Sequence, residues 1–172
     1  MKLATGFSLE NITIDFPAIT DQGLRVSIYS GYFADDVNWF APRTPTTTTT
    51  AYPFLSGTTT EGISYQWLGW FKPLVSATYT FQTISDDASY MWLGDNAVSG
   101  FTTGNALINN GGYHNTQTVE ASISLAAGFY YPVRLQWGNY QGSGEFYWKW
   151  YRPGTSATIF FNDLIWYGNG MG

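Results

Sequence analysis

Two adjacent carboxylates, Asp86 and Asp87, sit between two aromatic runs in Ser85-Asp86-Asp87-Ala88-Ser89-Tyr90-Met91-Trp92-Leu93-Gly94. Paired carboxylates can hold a hard cation such as calcium or work as an acid and base. Neighbours in an ordinary strand point to opposite faces, so these two could share an ion only at a bulge, a tight bend or a cis peptide. Taken alone, the pair reads first as a solvated turn. Asp35-Asp36, after Gly31-Tyr32-Phe33-Ala34, is a second acidic pair of the same ambiguity. Other chemistry is thinly provided. The chain has no cysteine, which removes disulfides, thiolate nucleophiles and Cys-ligated zinc together. The single histidine, His114, lies in turn-rich Gly111-Gly112-Tyr113-His114-Asn115, and no Ser–His–Asp pattern surrounds it. A glycosidase reading would pair Asp86 or Asp87 with Glu145 or Asp95, but nothing in the spacing supports it. The expectation is a protein that is not an enzyme.

The elements that must position these residues are strands. Aromatics make up 19% of the chain and charged residues only 11%, and 19 glycines punctuate the sequence. Such a composition favours short strands joined by turns over helices or disorder. No convincing helix is expected. Strands are expected over 11–16, 24–30, 63–71, 77–85, 89–93, 119–125, 130–137, 145–151 and 158–161. In 130–137, Tyr131, Val133, Leu135 and Trp137 share one face, and Arg134 and Gln136 share the other. The aromatic run Phe146-Tyr147-Trp148-Lys149-Trp150-Tyr151 reads as a strand buried on both faces, or alternatively as a subunit interface. The Thr- and Pro-rich stretch 44–60 reads as an exposed loop, with O-glycosylation or a partner contact as the sharper alternative. The 172 residues suffice for one domain with a real core. Residues 1–22 form an N-terminal arm or leading strand, and 23–172 an antiparallel β-sandwich.

Net charge is −5, with seven scattered Lys and Arg, so no nucleic-acid partner is expected. There is no apolar run of membrane-spanning length and no secretory signal in Met1-Lys2-Leu3-Ala4-Thr5-Gly6, so no membrane insertion is expected. Release within a virus particle would reconcile a missing signal with work outside the cell.

The sequence resembles the protective-antigen-like lectin domain shared by yeast flocculins, epithelial adhesins, GLEYA adhesins and many bacterial surface proteins. The resemblance runs from about Gly23 to Tyr167. It is carried by Gly31-Tyr32-Phe33, Gly69-Trp70-Phe71-Lys72-Pro73, Thr78-Tyr79-Thr80-Phe81 and Ser85-Asp86-Asp87-Ala88-Ser89-Tyr90-Met91-Trp92-Leu93-Gly94-Asp95. Further on come Leu125-Ala126-Ala127-Gly128-Phe129-Tyr130-Tyr131-Pro132-Val133-Arg134 and Gly138-Asn139. It implies an all-β fold, an antiparallel β-sandwich of the protective-antigen-like lectin type. It also implies a Ca2+ site in which two consecutive aspartates joined by a cis peptide, here Asp86 and Asp87, hold the ion with a side-chain amide, here Asn139. Backbone carbonyls, matched by Gln141 and Ser143, complete that site. The ion then takes two sugar hydroxyls while the carboxylates hydrogen-bond the same hydroxyls. Trp137, Tyr140 and His114 are the candidates to stack on the sugar.

Two departures stand out. The loop Tyr140-Gln141-Gly142-Ser143-Gly144-Glu145 is short and glycine-rich, so no sugar preference transfers. The disulfides that anchor the fungal members are absent. The resulting expectation is a calcium-dependent module on a virion or other extracellular surface, binding cell-surface glycans. Neighbouring subunits of an assembly are expected as further partners. The alternative is a decoration, fibre or filament subunit that uses the fold for assembly without sugar.

Overall fold

The computed structural model describes residues 23–155, together with two short strands from the flanking segments. In chain order the strands are β1 (Lys2–Leu3), β2 (Leu24–Ser30), β3 (Thr47–Ala51), β4 (Phe54–Thr58), β5 (Ile63–Phe71), β6 (Ala77–Asp86) and β7 (Ser89–Leu93). They continue with β8 (Ile108–Asn110), β9 (Gln117–Leu125), β10 (Phe129–Asn139), β11 (Gly144–Tyr151) and β12 (Ile165–Trp166). One helical turn, α1 (Asp95–Val98), and a 3-10 turn over Thr103–Asn105 lie between β7 and β8. The expectation of no helix therefore misses two single turns. The 3-10 turn is fixed by a reciprocal cap: Thr102 Oγ1 accepts from Asn105 N, and Asn105 Oδ1 accepts from Thr102 N. The candidate strands at 11–16 and 158–161 lie outside the described residues.

The strands form two sheets. The larger runs β3-β2-β5-β10-β7-β8, with β1 joining beside β10 and β12 beside β5. The smaller runs β4-β11-β6-β9. Every pairing is antiparallel except β1 with β10, where Lys2 and Leu3 face Phe129 and Tyr130 in parallel register. The fold is an all-β sandwich, as the sequence predicts.

The alternation of β10 decides the layering. Val133, Leu135 and Trp137 point into the space between the sheets and are fully buried. There they meet Trp67 and Phe71 of β5, Phe81 of β6 and Phe146, Trp148 and Trp150 of β11. Trp67 stacks on Phe146 at 4.9 Å between ring centres, and Phe71 takes Tyr79, Phe81 and Trp150 edge-on at 5.1–5.5 Å. Offset and edge-on contacts of this kind add to the area that the rings remove from water. The run 146–151 alternates rather than being buried on both faces. Phe146, Trp148 and Trp150 are inside, whereas Tyr147, Lys149 and Tyr151 are half-buried on the outer face.

The polar face of β10 is buried as well. Arg134 and Gln136 lie beneath a second layer formed by segments 31–43 and 94–107. Tyr29, Phe33, Val37, Phe40, Tyr90 and Trp92 make its core. Ser64 Oγ fastens the first of these segments, accepting from Phe33 N at 3.0 Å and donating to Gly31 O at 2.8 Å.

The stretch 44–60 is not a loop. It supplies β3 to the edge of the larger sheet, paired with β2, and β4 to the edge of the smaller one, paired with β11. Threonine is a good strand former, and an edge strand needs no core-facing apolar residue. The run Thr46-Thr47-Thr48-Thr49-Thr50 therefore pairs while remaining largely exposed.

Candidate functional site

β6 ends at Asp86 and β7 begins at Ser89, so Asp86 and Asp87 form the tight connection between the two sheets. The peptide between them is cis. Asp87 is only 1% exposed. Its Oδ1 accepts from His114 N at 3.2 Å and its Oδ2 from Tyr140 N at 2.8 Å. A carboxylate oxygen has more than one acceptor position, so these two bonds do not exhaust either oxygen. The Asp86 carboxyl is raised above its ordinary value, first by burial and then by the negative charge of Asp87. Glu145 and a hydrogen bond with Asp87 push it the same way, and His114 opposes them. Two carboxyl groups are thus held side by side against their mutual repulsion.

Asn139, the last residue of β10, is completely buried. Its Nδ2 donates to Thr60 O and to Gly142 O, each at 3.0 Å. Both partners are carbonyls that only an NH2 can satisfy, which fixes the orientation of the amide. Its Oδ1 is left buried with no hydrogen-bond partner. Gly144 separates this amide from the aspartates. A Cβ on Gly144 would lie 2.8 Å from Asn139 Cγ and 2.9 Å from Asp86 O. Only a residue without a side chain lets the two strands approach this closely.

Gln141 and Ser143 are exposed in the turn after Asn139, on either side of Gly142, whose N donates to Glu61 Oε1 at 2.9 Å. Tyr140 is 49% exposed and Tyr113 67% exposed. Their rings meet edge-on at 5.8 Å, and Tyr32 meets Tyr140 at 5.5 Å. The His114 ring approaches Asn115 O through Nδ1 at 2.8 Å and Asn110 O through Nε2 at 3.3 Å. It is tied into its loop, and it is the His114 backbone that reaches Asp87. Trp137 must be corrected as a stacking candidate. Its inward position on β10 buries the ring completely, and its Nε1 donates to Asp86 O at 3.1 Å. It braces the aspartate turn from below.

Sequence reasoning missed Tyr32, Tyr113 and Glu61 and left the part of Asp35 undecided. Burial, followed by the charges of Asp35 and Asp87, raises the Tyr32 hydroxyl well above its ordinary value, which puts it beside the aspartates. Asp35 Oδ1 accepts from Tyr90 OH at 2.8 Å and Gly112 N at 3.1 Å, tying segment 31–35 to the loop bearing Tyr113 and His114. The signal for Tyr32 and Tyr113 was their proximity in sequence to Asp35 and His114. No sequence signal brought those two segments together.

The residues suit a hard divalent cation. Asp86, Asp87 and the unpartnered Asn139 Oδ1 are all oxygen donors, the preference of calcium. Among the described residues no group of three or more His, Cys, Asp or Glu side chains could hold a metal, so an ion here depends on amide and carbonyl oxygens beside the aspartate pair.

A family model for the GLEYA domain matches residues 63–152. The chain belongs to the GLEYA domain family. The match covers β5 through β11 and therefore includes both aspartates, Asn139 and the turn that follows. Solved structures share the fold of this GLEYA domain at low identity. The epithelial adhesin 6 A domain from Candida glabrata, in complex with Galb1-3GlcNAc, is 17% identical. It aligns over 88% of this chain and 90% of its own, with a TM-score of 0.64. A PA14 sugar-binding domain from an RTX adhesin is 13% identical over 87% of this chain and all of its own, with a TM-score of 0.69. An anti-sigma factor domain-containing protein aligns with a TM-score of 0.70 at 17% identity. The GLEYA domain covers 88% of itself there but spans only half the length of that protein. No curated protein sequence matches the chain.

Proposed function

We propose that this GLEYA domain is a non-enzymatic, calcium-dependent carbohydrate-binding module of the adhesin type. The observation that carries the reading is the buried, unpartnered Oδ1 of Asn139 beside two crowded carboxylates. An isolated buried carbonyl oxygen costs free energy, and so does an uncompensated pair of like charges. One cation relieves both. Asp86, Asp87 and Asn139 would hold it, with backbone carbonyls of Gln141 and Ser143 completing the set. When bound, the ion supplies an electrophilic centre for two hydroxyls of a sugar.

The chain's own residues do the rest. The aspartate oxygens accept hydrogen bonds from those hydroxyls. Tyr140 and Tyr113, exposed beside Asp87, offer ring faces to the apolar side of a sugar. The epithelial adhesin domain in complex with Galb1-3GlcNAc and the sugar-binding PA14 domain, both of like fold, favour the same reading. Single sites of this kind are weak, and display in many copies on the outside of a cell or virus particle would multiply their avidity.

Calcium calorimetry on the parent, Asp87→Ala and Asn139→Ala tests the ion, and a glycan array with and without chelator tests the ligand. The expected result is saturable calcium binding in the parent, its loss in Asp87→Ala and a weakening in Asn139→Ala, with glycan signals that chelator removes. Equal calcium binding in all three proteins would overturn the site assignment. Calcium binding without any glycan signal would overturn the carbohydrate function.

A further inference from the structure

The outer face of the larger sheet carries a second concentration of unusual chemistry, independent of the aspartate site. In the paired register Arg25 of β2, Leu68 of β5 and Arg134 of β10 lie side by side in one row across three strands. Ser27, Gln66 and Gln136 form the next row. Over these rows, between the sheet and segment 31–43, is a cavity of about 420 Å³. Arg25, Arg43 and Arg134 all line it. Three of the seven basic residues of an acidic chain thus face one cavity, and among the described residues its lining contains no aspartate or glutamate.

Arg134 is the decisive residue. It is 9% exposed, yet no described carboxylate pairs with it. Its Nε donates to Ala97 O at 2.9 Å and its Nη1 to Gln66 Oε1 at 2.7 Å, and Phe101 lies against the guanidinium at 4.1 Å. Those bonds leave most of the guanidinium's N–H groups without a described partner. Burial lowers the Arg134 pKa to about 10, a measure of how poorly the fold alone compensates the charge. Gln66 Oε1 accepts from both Arg134 and Gln136, so the Gln66 amide presents its NH2 as a further donor. Arg43 is propped at the rim, donating to Trp39 O at 2.5 Å and lying 4.0 Å over the Trp39 ring. Tyr29, Phe40 and Phe101 supply apolar wall. Donors and cations converge with no described carboxylate to meet them, in a volume typical of small-molecule sites.

We propose that this cavity is a second ligand site, taking a small organic anion: a carboxylate or sulfonate-type group on a compact, partly aromatic body. The anionic group meets Arg134 and Gln66, Arg25 and Arg43 close around it, and the body lies against Tyr29 and Phe40. Planar, bidentate recognition of such oxyanions is what a guanidinium does best.

The test uses the whole chain labelled with ¹⁵N and reads the Arg134 Nε–H resonance. Benzoate and benzenesulfonate are titrated as probes, with benzamide as the neutral counterpart. The expected result is a saturable shift with at least one of the anions and none with benzamide. In the double variant Arg25→Gln, Arg43→Gln the midpoint should rise roughly tenfold or more. That variant changes only the rim, so an unchanged melting temperature certifies its fold. No saturable shift up to about 50 mM of either anion would overturn the proposal. So would an equal response to benzamide, or an unchanged midpoint in the double variant. Inorganic sulfate saturating the site as well as benzenesulfonate would overturn the aromatic body while leaving the anion.

Discussion

Asn139 and Gly144 show how much a single residue type can settle. The Asn139 amide spends its NH2 on two carbonyls and leaves its oxygen alone. Gly144 leaves the room that makes the arrangement possible. Gly144→Ala should therefore push a methyl group against Asn139 and the Asp86 carbonyl. The expected outcome is calcium affinity reduced by roughly tenfold or more, measured by calorimetry. Gly142→Ala is the contrasting case. No atom would crowd its Cβ, and only its positive φ of 76° resists the change, so a loss of about 1 kcal/mol in stability is expected from denaturant unfolding.

Asp86 gives a pH prediction with a definite sign. Its folded value is raised above the ordinary 3.8, so between the two values the folded chain holds more protons than the unfolded one. In chelator, its contribution to stability is fully present below the ordinary carboxylate range. That contribution is lost as pH rises through the raised value. Urea titrations at successive pH values should show this fall in the parent and a flatter profile in Asp86→Asn. Much of this site was legible as residue types. The aspartate pair alone is ambiguous, and it was the family resemblance, not local chemistry, that joined Asn139 to it. Trp137 shares the apolar face of 130–137 with Val133 and Leu135, so strand parity already pointed it inward, and the structure buries it while leaving Tyr140 half exposed.

At the scale of the element, expectation and structure agree best where one face is apolar. β2, β5 and β7 occupy the expected ranges 24–30, 63–71 and 89–93. They are strongly buried and rich in aromatic or β-branched residues. β3 and β4 escaped because a Thr-rich edge has no buried face to advertise it, and composition alone reads such a stretch as a loop. β8 escaped through its length of three residues. The polar row of β10 is buried although nothing in the local pattern announces that segments 31–43 and 94–107 return to cover it. Gly138 marks where one of them lands. A Cβ there would lie 2.8 Å from Phe33 Cδ1 and 3.0 Å from Ser64 Oγ. Gly138→Ala should lift segment 31–43 at a cost of about 1–3 kcal/mol, and limited proteolysis should find that segment newly accessible.

For the whole molecule, the two sheets are joined by aromatic rings rather than by disulfides. Four rings converge on Phe71: Tyr79, Phe81, Trp148 and Trp150, all from the smaller sheet. Phe71→Ala should cost about 3–5 kcal/mol in chemical denaturation, a large part of the stability of a domain this size. Arg134 and Asn139, which anchor the two proposed ligand sites, both belong to β10, five positions apart and on opposite faces.

The placement of β10 and β11 has a consequence for how the chain is made. β10 lies in the interior of the larger sheet, between β5 and β7, and β11 in the interior of the smaller one, between β4 and β6. Both come late in the chain, ending at Asn139 and Tyr151. A ribosome releasing the protein from its N-terminus therefore delivers the flanks of both sheets before either centre. Until Asn139 has emerged, the edges of β5 and β7 that pair with β10 face no partner of their own chain. Nascent domains in that condition are open to association with one another. Assembly must then wait for β10 and β11 and close both sheets almost together.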